Sequence, residues 1–197
     1  MARGINLTKL DSDFYLPFGR ALSNWARVER NMGHWFIRLS GMKETPGFAV
    51  FYSARSFQGR VDMVQALVEF ARTIPAGRTF LDAALNRASA YSQFRNRLAH
   101  DPHSAQTIHW PDRVESARWI SSPKGDPDIG KEAMAIAGEN FAFLANVMAA
   151  SLGRGKLLIE PELSLALLAL LPSGAGDRKI DHRAATTQLT ELLRHQP

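Results

Sequence analysis

Cysteine is absent from the 197 residues, which excludes a disulfide framework and every thiolate metal site. Long apolar runs are missing too: no stretch approaches the roughly 18 apolar residues that a spanning helix needs. The opening Met1-Ala2-Arg3-Gly4-Ile5-Asn6 has one basic residue and no apolar core after it. No secretory signal is therefore expected, and a cytoplasmic location without membrane attachment is. Familiar catalytic signatures are also lacking. Gly153-Arg154-Gly155-Lys156 has neither the spacing nor the following Ser/Thr of a phosphate-binding loop, and there is no Gly-x-Ser-x-Gly elbow or His-Glu-x-x-His pair. His100, His103 and His109 have no metal-ligand spacing and no carboxylate partner, so neither metal nor cofactor is expected.

What is present is the composition of a soluble globular protein, 45% apolar and 22% charged, and long enough to bury a real core. The net charge of +5 is uneven. Residues 1–100 carry 14 Lys/Arg against 7 Asp/Glu, whereas residues 101–197 carry 10 against 12. Arginine supplies 18 of the 24 cations, and its planar fork suits phosphate. Two readings stay open: a nucleic-acid partner, or the codon composition of the source genome.

Helical periodicity dominates. A first helix is predicted over residues 11–42, with Asp11, Ser12 and Asp13 offering N-cap oxygens and Pro17 near the first turn. Phe18, Leu22, Trp25, Met32, Phe36 and Leu39 form its stripe, widened by Val28 and Trp35. Glu29 falls inside that stripe. It either pairs with an arginine or lies at the stripe's edge, and the edge placement is cheaper because an unpaired buried carboxylate is costly. A second helix is predicted over residues 48–73, with Gly59 inside it and Arg55, Arg60 and Arg72 on a solvated face. A third is predicted over 79–100 after the Pro75-Ala76-Gly77 break, with Thr79 and Asp82 as a capping box. Its apolar face is Leu81, Ala84, Leu85, Ala88, Tyr91 and Leu98.

Beyond Asp101-Pro102 the segments Thr107–Trp110 and Val114–Ile120 read as a short hairpin or flap. Asp126-Pro127 reads as the start of a fourth helix running to Leu152, closed by Gly153 and Gly155. Leu163–Leu171 suggests a short packed helix, Ser173–Asp177 a flexible break, and 181–194 a last amphipathic helix carrying Leu189, Leu192 and Leu193. The expected fold is all-α: an antiparallel four- to five-helix bundle over residues 1–155, with the hairpin inserted after the third helix. Residues 156–197 form a helical tail packed on the bundle or on a partner.

Arg95 breaks the pattern of the third helix. It sits between Tyr91 and Leu98 on the buried face, where a core leucine is expected. Asn96 follows it, and His100 ends the helix. An arginine five residues before a histidine arises easily by chance among 18 Arg and 6 His, and Arg97 with His103 is another loose pair. The fuller pattern is an apolar face, Arg-Asn, Leu-Ala-His and then a helix breaker. In this it resembles the HEPN superfamily of all-α domains, whose signature is an Arg, a polar residue and a His a few positions on. Trp25 and Glu29 in the long first helix, and the segment Phe51–Arg60, also look like bacterial members. Asp101 departs from the glycine that many relatives carry there.

The resemblance implies a metal-independent endoribonuclease of a toxin or phage-defence kind, a homodimer with facing motifs that leaves 2′,3′-cyclic phosphate ends. Arg95, Asn96 and His100 would be its catalytic residues, RNA its substrate, and an antitoxin or other protein a further partner. The alternative is a non-catalytic helical interaction or nucleotide-binding module, in which Arg95 pairs with an acid such as Glu29 and His100 caps the helix end. Helix geometry adds its own constraint. Five residues turn about 140° and rise about 7.5 Å, so Arg95 and His100 point apart, whereas Asn96 and His100 are neighbours. A complete site then calls for two helices across a twofold axis.

Overall fold

The computed structural model describes residues 7–70, 75–112, 114–152, 161–181, 183 and 187. It is mostly helical, with six helices and one two-stranded sheet among the described residues. In order these are α1 (Leu7–Ser40), α2 (Glu44–Ser53), α3 (Phe57–Phe70), α4 (Pro75–His100), β1 (His103–His109), β2 (Val114–Ile120), α5 (Lys131–Ala150) and α6 (Pro161–Ala169).

The stripe read from the first helix is the spine of the core. Trp25, Val28, Met32 and Trp35 are all but inaccessible to solvent, joined by Phe14, Ala21 and Phe36. Gly41 stops α1 with φ of 69°, a left-handed conformation that glycine adopts without strain. The expected second helix is two helices. Ala54 is extended, and the Ser56 hydroxyl accepts the Gly59 amide at 3.0 Å, capping a fresh start at α3. The third helix begins earlier than expected, at Pro75, which suits the first helical turn. Thr79 therefore lies inside it and donates back to the Pro75 carbonyl at 3.1 Å instead of capping.

α5 runs alongside α1 in the same direction, not antiparallel to it. Asn24 donates to the Gly138 carbonyl at 3.0 Å, Asn31 to Ala145 at 2.7 Å, and the Trp35 indole to Ser151 Oγ at 2.9 Å. Partners thus advance together along both helices. α4 is antiparallel to α1, with Trp35 meeting Phe80 near its start and Glu29 meeting Arg95 near its end. The insert explains the parallel pair. β1 and β2 pair antiparallel from His103↔Ile120 to His109↔Val114, and the hairpin docks at the beginning of α1. There His103 sits among Phe14, Tyr15 and Phe18, and Arg118 pairs with Asp11 at 2.6 Å. The chain is so returned to the start of α1 before α5 begins.

Asp126-Pro127 does not start α5, which begins at Lys131. Ile129 exchanges both backbone hydrogen bonds with Ile120, at 2.9 and 3.0 Å, and that bridge holds the segment extended. The Asp126 carboxylate accepts from the Ser122 hydroxyl at 3.2 Å. By length and composition alone α5 could cross a membrane, but half of it is buried as the core partner of α1 and α4.

Residues 161–181 pack on α4 and α5, with Leu168, Leu171, Ala175 and Ile180 buried in the same core. The stretch Ser173–Asp177, expected to be a flexible break, is tied down. Asn140 donates to the Ala175 and Arg178 carbonyls at 2.7 and 2.9 Å, and the Asp177 carboxylate accepts the Gly174 amide at 2.7 Å. The Pro172 carbonyl accepts from Arg87 and, at 3.0 Å, from the buried Tyr91 hydroxyl. The closing glycines 153 and 155 and most of the amphipathic segment 181–194 lie outside the described residues.

Burial drives the Tyr91 phenol well above its ordinary range, although Arg87 opposes this. A raised phenol keeps its full contribution to stability below the ordinary tyrosine pKa of about 10 and loses it as pH rises beyond. Tyr91→Phe is accordingly expected to cost about 0.5–1.5 kcal/mol in urea denaturation at neutral pH. It should also flatten the fall in stability above about pH 10.

Candidate functional site

The last two turns of α4 carry the three residues singled out from the sequence. α4 buries Leu81, Ala84, Leu85, Ala88, Tyr91 and Leu98, and this face fixes the rotation of everything between them. Arg95, lying between Tyr91 and Leu98, is held at the margin of the core with its side chain 28% exposed. Its guanidinium donates to Asn96 Oδ1 at 3.1 Å and lies 3.7 Å from Glu29 Oε1.

Glu29 is not a bystander at the edge of the α1 stripe. Its carboxylate accepts the Trp25 indole N–H at 2.9 Å and faces Arg60 Nη1 at 3.4 Å as well as Arg95. Only 14% of its side chain is exposed. One carboxylate thus serves two guanidiniums, leaving a net positive charge at the surface between α1, α3 and α4. Arg60 was expected on a solvated face, yet its side chain is largely buried and also donates to the Ala54 carbonyl at 3.3 Å. Arg55 is exposed, and Arg72 lies outside the described residues. The clue to Arg60 was Glu29 itself, a carboxylate inside an apolar stripe, since burial demands a cation.

Glu29→Gln keeps the shape and removes the charge. It is expected to lower stability by about 1.5–3 kcal/mol, the scale of hydrogen bonds to charged groups. In a double-mutant cycle with Arg95→Ala the two losses should be less than additive, because both remove the same pair.

His100 points elsewhere, as the helical offset requires. It is exposed and lines a groove of about 420 Å³ together with Asn96, Arg97, Asp101 and the loop residues Ser122, Lys124 and Asp126. Asn96 and His100 therefore share a groove, while Arg95 turns away towards Glu29. Among the described residues the His100 side chain makes no hydrogen bond or ion pair, in contrast to Arg97 and Asp101. Arg97 bonds Asp101 at 3.0 Å and the Pro127 carbonyl at 2.6 Å, clamping the 121–130 loop onto the helix end. Asp101, the departure from glycine, has this clamping role. No backbone strain arises, since no non-glycine residue among those described has positive φ.

The other histidines are dispersed: His103 in the aromatic cluster at the start of α1, His109 exposed on the hairpin. Among the described residues no group of His, Asp and Glu could hold a metal ion. An exposed imidazole, an amide and a guanidinium are what the helix end offers: proton transfer, hydrogen-bond orientation and anion stabilisation. No family model, no curated protein and no solved structure matches this chain.

Proposed function

We propose that the chain is a metal-independent endoribonuclease of HEPN type, cytoplasmic, acting as a homodimer, with Arg95, Asn96 and His100 of both copies around one scissile phosphate. The observation that carries the reading is His100. It stands exposed one turn beyond Asn96 with no structural employment, while Arg97 and Asp101 beside it are both committed to holding a loop. The excess of arginine in residues 1–100 supports a phosphate-bearing ligand.

The chemistry is attack by the RNA's own 2′-oxygen. One imidazole accepts the 2′-hydroxyl proton as the O2′–P bond forms, and the P–O5′ bond breaks as the leaving oxygen takes a proton from an imidazolium. The products are a 2′,3′-cyclic phosphate and a 5′-hydroxyl. Two histidines are needed in opposite protonation states, and imidazole is the side chain that supplies both near neutral pH. A twofold axis supplies two. Arg95 stabilises charge on the non-bridging oxygens, and Asn96 orients the phosphate or the imidazole.

A non-catalytic helical module for RNA or protein binding is the second reading. It is favoured by the Arg95–Asn96–Glu29 set, which satisfies Arg95 within one chain. Incubating purified protein with mixed RNA in EDTA separates the two. Cleavage that resists EDTA and is lost in both His100→Ala and Arg95→Ala supports the enzyme; equal cleavage by all three proteins sinks it.

A further inference from the structure

The surface of α2 carries a second feature, continuous with the arginine cluster. Phe48 and Tyr52 stand one turn apart with rings nearly parallel, 16° between planes and 5.9 Å between centroids. His34 of α1 meets Phe48 edge-on at 5.0 Å. With Arg30 and Glu44 these residues line an open hollow of about 330 Å³, at the small end of the usual range for ligand sites. Tyr52 is 45% exposed, a large ring to leave in water.

The seat of this hollow depends on one glycine. A Cβ at Gly33, inside α1, would fall 2.6 Å from Phe48 Cε1. Glycine there costs helix stability relative to alanine, and what it permits is the Phe48 ring lying directly against the helix backbone. Tyr52 is joined to the candidate site by contact: Arg60 Cζ lies 5.1 Å from its ring centroid, and Arg60 shares Glu29 with Arg95. Arg30, His34 and Glu44 line the hollow, Arg60 stands over Tyr52 at its margin, and Arg95 lies beyond, sharing Glu29 with Arg60. From the hollow to Arg95, three guanidiniums thus accompany two carboxylates. Burial, with Glu29 adding to it, pushes the Tyr52 phenol up against the opposing pull of Arg60 and Arg30.

We propose that this hollow receives an unpaired base of single-stranded RNA, stacked against Phe48 and Tyr52, with the strand's phosphates passing Arg60 towards Arg95. Exposed aromatic faces alternating with guanidiniums are the chemistry by which proteins hold single strands, because every base has a π-face and every linkage a phosphate. The inference deepens the ribonuclease reading and rests on it for the identity of the ligand. A duplex is excluded by the same chemistry, since its bases are already stacked.

The test is fluorescence anisotropy with a labelled 2′-O-methyl oligouridine of about 12 nucleotides, within the usual site sizes. This probe cannot be cleaved by its own 2′-oxygen, so binding is read apart from catalysis. Tyr52→Ala is expected to raise Kd about tenfold, on the scale of one lost base–aromatic stack, and Phe48→Leu to raise it too. Tyr52→Phe, which keeps the ring, should bind as wild type. Unchanged binding by Tyr52→Ala, or equal binding of the same strand within a duplex, would overturn the proposal. Tyr52-dependent binding by a protein that cleaves no RNA upholds the hollow while removing the ribonuclease. His100-dependent cleavage with binding indifferent to Tyr52 removes the hollow alone.

Discussion

His100→Ala is expected to cut EDTA-resistant RNA cleavage by about 10²–10⁴-fold, the span general acid–base catalysis supplies, with no loss of thermal stability. Both halves of this result follow from where the imidazole stands. It is exposed on the last turn of α4 with no bonded partner among the described residues, so its removal leaves no buried group unsatisfied and opens no cavity. Arg95→Ala should differ. It also removes a partner of Glu29 and Asn96, so its activity loss should come with a measurable fall in melting temperature. The contrast would separate the two proposed roles, His100 serving chemistry alone and Arg95 serving both chemistry and fold.

Trp25→Ala carries the largest expected cost in stability, about 3–5 kcal/mol for a large aromatic in a packed core. The indole is 2% exposed, with centroids 5.0 Å from Phe57 and 5.1 Å from Phe141. It therefore joins α1 to both α3 and α5. Its N–H also donates to Glu29 at 2.9 Å, so truncation deprives the carboxylate of a donor as well as leaving a void. Trp25→Phe refills most of the volume without the N–H. Chemical denaturation should place it between wild type and the alanine variant, and the difference from wild type reports the indole hydrogen bond together with the residual void. If Trp25→Ala were instead neutral, the packing described for α1, α3 and α5 would be wrong.

These two residues also mark what was legible in the sequence. Trp25 belongs to a stripe that periodicity alone revealed, because helical spacing is a local property and burial follows from it. Arg95 was visible as a polar intrusion on an apolar face for the same reason. The pairing of Arg95 with Glu29 could be named from the sequence, but the second partner of Glu29 was not visible. Arg60 reaches it from another helix, and the break at residues 54–56 that sets the start of that helix depends on one serine hydroxyl. The direction of α5 was equally hidden. Its parallel course with α1 follows from where the hairpin docks, through His103 among three rings and Arg118 on Asp11, and such contacts across the chain leave no local pattern. Asp126-Pro127 shows tertiary structure overriding a local signal, since the Ile120–Ile129 bridge holds that segment extended. The tail segment to residue 181 is ordered by Asn140, a buried polar residue in the middle of an apolar helix.

The central claim is that two copies of α4 complete a site that one copy cannot, because Arg95 and His100 of a single helix point apart. Mixing wild type with an equal amount of His100→Ala under conditions that allow subunit exchange tests it most directly. If the one site of a dimer needs the histidine of both chains, only the dimers made of two wild-type chains cleave, and these are about a quarter of the total. Cleavage should therefore fall to roughly a quarter of the rate of the same total amount of wild type. A rate of about one half, although size measurement shows that the chains have exchanged, would contradict the account, because each wild-type chain would then act alone.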